Sequence, residues 1–97
     1  MNMQAMLRQA QQMQKQMLNE QEKINNMDFS AENGLVKVNM KGTKRITKVD
    51  IKKEDDFSSD DLEMLEDMIM VAVNECLAQI EKETEEKLGK YTKGLPF

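Results

Sequence analysis

The chain has 97 residues, a formal net charge of −4, one cysteine and no histidine, which excludes a Ser–His–Asp triad, a Cys–His nucleophile pair and a Cys/His zinc site within one chain. This length predicts a single domain over residues 1–97, and no stretch approaches the ~20 apolar residues of a membrane-spanning helix. The lone cysteine and the lack of an apolar leader predict a cytoplasmic protein with no membrane partner.

The first predicted element is an amphipathic helix over residues 2–26. Its apolar residues recur at alternating spacings of three and four, as the a and d positions of a coiled coil do. A helix of this length extends about 38 Å, so it projects beyond a small core unless a partner lies along it. We therefore expect a homodimer whose interface includes the side chains of Met6, Ala10, Met13 and Met17.

Three antiparallel strands are predicted over residues 28–51. Asn33-Gly34 tolerates the positive φ values of a tight hairpin turn. The segment from Leu35 to Met40 alternates as a strand does, which places Val36, Val38 and Met40 on one face of the sheet. Gly42 interrupts this run, and a second alternating run ends at Ile51.

A second helix is predicted over residues 59–88, with Ser58, Ser59 or Asp60 as its cap. Its apolar face is broad enough to cover the sheet on one side and a second chain on the other. We expect the dimer interface to include Leu65, Ile69, Val73 and Leu77 of this face. Gly89 is the predicted stop, and residues 89–97 are predicted to form a flexible tail that contains Pro96.

Charge is distributed unevenly along the chain. Residues 35–53 carry +6, whereas residues 54–97 carry −9. A concentrated group of cations suits the phosphate backbone of a nucleic acid. The primary candidates for contact with double-stranded DNA are Lys37, Lys41, Lys44, Arg45 and Lys48. Secondary candidates on the helices and the tail are Arg8, Lys15, Lys23, Lys90 and Lys93.

Charge alone supports an alternative equally well, in which the strand lysines are solvated and discourage edge-to-edge pairing. No aromatic residue accompanies the cations, which disfavours binding of single strands by base stacking. The methionines suit helix packing better than metal binding, and the acidic second helix suits a solvated surface. We expect no metal, no cofactor, no small-molecule substrate and no catalytic residue.

Several strings of the sequence resemble one known family. They are Gly34-Leu35-Val36-Lys37-Val38, then Gly42, then Val49-Asp50-Ile51, preceded by a helix rich in Gln and Met. The next string is Asp61-Leu62-Glu63-Met64-Leu65-Glu66-Asp67, and the last is Gly94-Leu95-Pro96, near the C-terminus. Together they resemble the YbaB/EbfC family of bacterial nucleoid-associated proteins. The glycine-rich N-terminus that is usual in this family is absent here, and the loop before Gly34 is short.

This resemblance implies an α+β fold, with a helix, a small antiparallel sheet and a second helix, in two chains that intertwine as a tweezer-like homodimer. It also implies binding and bending of double-stranded DNA, with roles in nucleoid organisation, DNA protection and gene regulation. Two helices that flank β-hairpins also resemble the subunit plan of prefoldin-like chaperones. A chaperone or a protein-interaction scaffold is therefore the alternative function.

Overall fold

The computed structural model describes residues 2–92 and has two helices joined by a three-stranded sheet. Helix α1 spans Met3–Asn26, and the strands are β1 Asp28–Asn33, β2 Val36–Lys41 and β3 Ile46–Ile51. A short 3₁₀ turn, Ser59–Asp61, leads into helix α2, Leu62–Thr92. The sheet is antiparallel with the order β1-β2-β3. The predicted α+β fold is confirmed.

Helix α1 begins at a side-chain cap, since the Asn2 carboxamide oxygen accepts a hydrogen bond from the Gln4 amide at 3.0 Å. Residues 3–16, called the free segment of α1 below, are all solvent-exposed. Only near its C-terminus does α1 bury a residue completely, at Ile24. The first helix is therefore anchored at one end and projects at the other.

The β1–β2 hairpin supplies the sheet half of the core. Gly34 adopts a φ of 56°, as the Asn-Gly turn predicts, and the Leu35 amide donates to the Met68 sulfur at 3.4 Å. A Cβ at position 34 would lie 2.6 Å from the Met68 Cε, so this turn and α2 approach closely. Behind the turn, the predicted inward residues of β2 are fully buried against α2. The buried core is Phe29, Val36, Val38, Met40, Ala72, Cys76 and Ile80.

Helix α2 runs along β1 and β2 and then alongside α1, in the direction opposite to α1. Met68 lies at the hairpin turn, Gln79 donates to the Ser30 carbonyl at 3.0 Å, and Tyr91 lies beside Met17 of α1. At its start, the Asp61 carboxylate accepts from the Ser58 amide at 2.9 Å. This hydrogen bond agrees with the cap predicted from the serines before α2.

The predicted end of α2 at residue 88 is wrong, because the helix continues through Gly89 to Thr92. Glycine costs a helix about 1 kcal/mol relative to alanine, which packing on both sides can offset. Leu88 is half-buried and Tyr91 is buried against α1, so this last turn is held in place. Of the predicted flexible tail, residues 89–92 are helical and residues 93–97 lie outside the described part of the chain.

Strand β3, at one edge of the sheet, has no helix over it in the described part of the chain. The molecule measures 72 × 24 × 14 Å, with a radius of gyration of 19.9 Å, whereas a compact chain of this length has about 12.5 Å. Helix α2 packs on β1 and β2 and leaves the inward face of β3 open. Ile46, Val49 and Ile51 are 44–49% exposed, although their partners on β2 are buried. A single chain therefore leaves its core incomplete.

The β2–β3 turn joins the sheet to the end of α1. Gly42 is buried there, and its amide donates to the Met27 carbonyl at 3.0 Å. A Cβ at position 42 would overlap the backbone carbonyl of Ile24. Only glycine allows this approach, which fixes the direction in which α1 leaves the sheet.

Candidate nucleic-acid interface

The outer face of the sheet, opposite to α2, carries three of the five primary candidates for DNA contact. The antiparallel register places Asp28 across from Lys41, and places both Glu32 and Asp50 across from Lys37. Lys48 lies across from Asn39. Lys41 pairs with Asp28 at 2.9 Å across the β1–β2 ladder. Lys48 lies 3.5 Å from Asp50, two residues along the same strand. Lys37 has no carboxylate within 4 Å among the described residues, although its strand partners are both acidic.

A further ion pair lies at the end of this face where β1 and β3 both end. There, Lys52 Nζ lies 2.8 Å from Glu32 Oε1. The hydrogen bond and the charge of Lys52 lower the pKa of the Glu32 carboxyl, and those of Glu32 raise the pKa of Lys52. Four lysines and three carboxylates leave the outer face a net charge of about +1. This is less than the +6 of residues 35–53 for two reasons: Lys44, Arg45 and Lys53 are not among these four lysines, and Asp28 and Glu32 of β1 offset two more charges.

The β2–β3 turn holds the other two primary candidates, and their surroundings differ. Lys44 adopts a left-handed φ of 73° and lines a surface depression together with Glu81 and Glu85 of α2. Two carboxylates of α2 therefore border the same depression, although Lys44 forms no ion pair with either of them. Arg45 is exposed at the same turn and has no carboxylate within 4 Å in residues 2–92. Of the two side chains, Lys44 is the one that shares a depression with carboxylates.

The free segment of α1 carries Arg8 and Lys15 and no acidic residue. These two cations lie seven residues apart, which is about 10.5 Å along the same side of a helix. Both are exposed, and neither has a carboxylate within 4 Å among the described residues. Lys23, nearer the sheet, pairs with Glu20 at 3.4 Å. The free segment is therefore basic without local compensation.

The remaining secondary candidates lie at the end of α2. Lys90 is exposed, and its Nζ lies 5.1 Å from the centre of the Tyr91 ring, within the range of a cation–π contact. Lys93 lies outside the described residues. Cations of α2 are outnumbered by its carboxylates, which gives residues 62–92 a net charge of −5. The exposed sides of α2 therefore oppose contact with phosphates.

The residues predicted for a dimer interface contact their own chain to different extents. Leu65, Ile69, Val73 and Leu77 are half-buried and pack against the core of the same chain. Ala10, Met13 and Met17 line a groove with Tyr91, while Met6 is 50% exposed.

Sequence reasoning did not include a second apolar surface, made of Ile46, Val49, Ile51 and Phe57. Apolar residues alternate along β3 in register with those of β2, and this pattern could have predicted the second surface.

Cys76 is buried beneath the sheet, as its apolar surroundings in the sequence predict. Its thiol donates a hydrogen bond to the Val38 carbonyl at 3.5 Å. Burial, with a smaller contribution from Glu75, raises the pKa of this thiol above its usual range. A buried cysteine of raised pKa behaves as a packing residue.

Within residues 2–92, no group of three Cys, Asp or Glu side chains is arranged to hold a metal ion. No described helix is long and apolar enough to cross a membrane.

Comparison with known families decides what kind of protein carries these surfaces. The model of the YbaB/EbfC DNA-binding family matches residues 1–95. The chain belongs to this family. Its description refers to DNA binding and to no chemical reaction. The resemblance of the short sequence strings is thereby confirmed over nearly the whole chain.

Curated relatives support the same assignment. A nucleoid-associated protein of Lactococcus lactis subsp. lactis is 50% identical and is matched over 100% of this chain and 99% of its own length. A nucleoid-associated protein of Enterococcus faecalis is 46% identical over 98% of this chain and 92% of its own. A nucleoid-associated protein of Lactobacillus acidophilus is 43% identical over 98% of this chain and 86% of its own length. The similarity therefore spans both helices and the sheet.

Proposed function

We propose that this protein binds double-stranded DNA as a homodimer, with little sequence preference, and alters the conformation of the duplex. Its place would be the nucleoid, in DNA organisation, DNA protection and gene regulation, with no enzymatic activity. The observation that carries this proposal is the match of residues 1–95 to a DNA-binding family. The nucleoid-associated relatives support the proposed location.

The distribution of unopposed cations favours the free segment of α1 as the main contact with phosphates. Among the described residues, Arg8 and Lys15 have no carboxylate within 4 Å to desolvate or displace when a phosphate approaches. Arg45 and Lys37 are the next candidates, because they are exposed without an ion pair in the described chain. Lys41, Lys44 and Lys48 remain proposed contacts, weakened by the carboxylates close to them. Contacts to phosphates position a protein without reading sequence.

The open inward face of β3 supports the proposed dimer. Ile46, Val49 and Ile51 expose apolar surface on the core side of the sheet, and Phe57 lies next to Ile51 and Leu65 at its end. Burial of such surface contributes roughly 25 cal/mol per Å². A second copy of this face would complete the core and set two free α1 segments on one assembly, which suits a clamp around a duplex.

Electrophoretic mobility shifts on two unrelated duplexes of equal length, each at two salt concentrations, test the DNA proposal. Equal shifts on both duplexes and a steep loss of affinity at the higher salt are expected, because each phosphate contact releases counterions. Cyclisation of a short duplex by ligase tests the change in conformation. Absence of a shift at micromolar protein, or an affinity that ignores salt, would contradict the proposal.

A chaperone or scaffold role is the second candidate, favoured by the apolar side chains on the free segment of α1. Met3 is 76% and Leu7 59% exposed, and flexible methionine surfaces suit varied apolar clients. Suppression of the aggregation of an unfolded client, without any DNA shift, would support this function over DNA binding. A DNA shift without suppression of aggregation would exclude the chaperone or scaffold role.

A further inference from the structure

Helix α1 carries two exposed leucines on one side, here called the leucine face. Leu7 and Leu18 are both 59% exposed, and their spacing of eleven residues places them on the same side of the helix, about 16.5 Å apart. Lys15 lies one turn before Leu18, and Arg8 lies two turns before Lys15. The leucine face therefore combines exposed apolar side chains with a row of cations along one edge.

The exposed side of helix α2 carries a matching surface, here called the α2 stripe. Met64 and Val71 are 46% and 45% exposed and lie two turns apart on one side of the helix. Asp67 and Glu75 are exposed beside them, one turn before and one turn after Val71. Residues 62–78 contain four carboxylates and no cation, so they carry −4. The α2 stripe is therefore apolar with an acidic border.

The two surfaces are complementary in charge and in spacing. Arg8 and Lys15 are about 10.5 Å apart along α1, and Asp67 and Glu75 are about 12 Å apart along α2, so both pairs can form at once. None of these four side chains has an ion pair within 4 Å in residues 2–92. Exposed ion pairs contribute little alone, whereas pairs that border an apolar contact also fix its register.

A contact between these surfaces requires a second copy of the chain. Tyr91 of α2 lies beside Met17 of α1, and from there α1 extends towards Leu7 in the same direction as the end of α2. Glu75 lies sixteen residues before Tyr91, which is about 24 Å back along α2. The leucine face therefore cannot reach the α2 stripe of its own chain.

A dimer formed on the inward face of β3 leaves the α2 stripe open. Leu77 borders the same depression as Lys44 of the β2–β3 turn, so this flank of α2 faces β3. Val71 lies six residues earlier, which is about 120° around the helix from Leu77. The α2 stripe is therefore available to a further copy after the dimer has formed.

We propose that the leucine face of one dimer docks on the α2 stripe of another, so that dimers join head to tail into larger assemblies. Because the contact joins two different surfaces, it repeats from one dimer to the next unless the assembly closes into a ring. This assembly goes beyond DNA binding, since it forms between copies of the protein alone. It rests on the proposed function only for the dimer as the unit that is joined.

Sedimentation velocity over a concentration series, without DNA, measures this assembly. The wild type should form species heavier than a dimer, which grow with protein concentration and shrink as added salt screens the charges. Arg8→Glu/Lys15→Glu and Asp67→Lys/Glu75→Lys should each raise the apparent dissociation constant about ten-fold, because attraction becomes repulsion. The variant with all four substitutions should regain the wild-type assembly, because its charges are exchanged rather than lost.

Glu85→Lys/Glu86→Lys is the matched control. It changes the net charge by as much as Asp67→Lys/Glu75→Lys does, on the same helix but outside the α2 stripe. Its assembly should stay close to that of the wild type. Circular dichroism checks that every variant keeps its helix content.

Recovery of the assembly in the variant with exchanged charges supports the proposal. A wild type that stays dimeric at every concentration would overturn it in favour of a different protein as the occupant of these surfaces. Assemblies that persist in both charge variants, or that stay lost when all four substitutions are combined, would also overturn it. A wild type that stays monomeric would overturn the proposed dimer as well, so the two failures are distinguishable.

Discussion

The outer face of the sheet and the free segment of α1 are both basic in the sequence, but folding reverses their order. Residues 35–53 carry +6, yet their face of the sheet keeps about +1, because Lys44, Arg45 and Lys53 lie off that face and Asp28 and Glu32 of β1 lie among its lysines. Residues 3–16 carry only +2, and no acidic residue of α1 lies within that segment. The less charged sequence therefore provides the more clearly basic surface.

The reason for this reversal is the geometry of the two elements. An antiparallel hairpin brings residues 13 positions apart, such as Asp28 and Lys41, into direct contact. A helix brings together only residues three or four positions apart. Charge counted along a segment therefore describes the surface of a projecting helix well and the surface of a sheet poorly.

The largest expected effect comes from a substitution at Gly42, where α1 and the sheet meet. Gly42→Ala should lower the free energy of unfolding by about 3 kcal/mol, because the new Cβ overlaps the backbone carbonyl of Ile24 and neither strand nor helix can move away cheaply. Urea denaturation measures this loss. An unchanged midpoint would show that the junction between α1 and the sheet is looser than described.

Gly89→Ala is the matched control for that substitution. A Cβ at position 89 meets only Glu85 Cγ, at an ordinary 3.8 Å, within a continuous helix. Alanine there should stabilise the protein by about 0.5–1 kcal/mol, since it restricts the unfolded chain and favours the helix. A loss of stability at this position would contradict the helical course of α2 beyond residue 88.

A smaller effect is expected from a charge on the inward face of β3. Val49→Asp should weaken the proposed dimer by about 2 kcal/mol or more, because it buries an unpaired carboxylate in the interface. Light scattering across a dilution series should then show monomers at concentrations where the wild type is dimeric. Thr47→Asp adds the same charge beside Ser30 and Asn39 on the outer face and should leave the mass unchanged. Equal behaviour of both variants would place the interface elsewhere.

The smallest effect concerns the ion pair that neutralises one end of the outer face. Lys52→Gln should raise the pKa of Glu32 towards its ordinary value, because the partner that lowers it is gone. Since the folded pKa of Glu32 is depressed, the pair stabilises the wild type above the ordinary carboxyl pKa, and this is lost as the pH falls through the folded value. Carboxyl NMR titration of both proteins checks the shift. An unchanged Glu32 titration would contradict the pairing.

Much of the fold could be predicted from the sequence because its signals are local. The helical course of α1, the Asn33-Gly34 turn and the alternation from Val36 to Met40 depend on near neighbours, and the structure confirms each. The end of α2 could not be predicted from Gly89, because burial of Tyr91 against α1 decides it. That contact joins residues more than 70 positions apart.

Less of the candidate site than of the fold could be predicted from the sequence. The cations are visible in the sequence, but the carboxylates near Lys41 and Lys44 come from another strand and from α2. Likewise, whether Val49 and Ile51 are covered depends on where α2 crosses the sheet, which no local pattern records. Local periodicity predicts which face is apolar, and only the packing decides what covers it.

The salt dependence of DNA affinity in two matched double variants tests the central claim most directly. Arg8→Gln/Lys15→Gln removes two unopposed charges from the free segment of α1, and Lys41→Gln/Lys48→Gln removes two ion-paired charges from the outer face. The first variant should lose affinity, and its slope of log affinity against log salt should fall by about one for each lost phosphate contact. The second should keep a slope close to that of the wild type. A larger loss in the second variant, with the first unchanged, would contradict the account and place the DNA on the sheet.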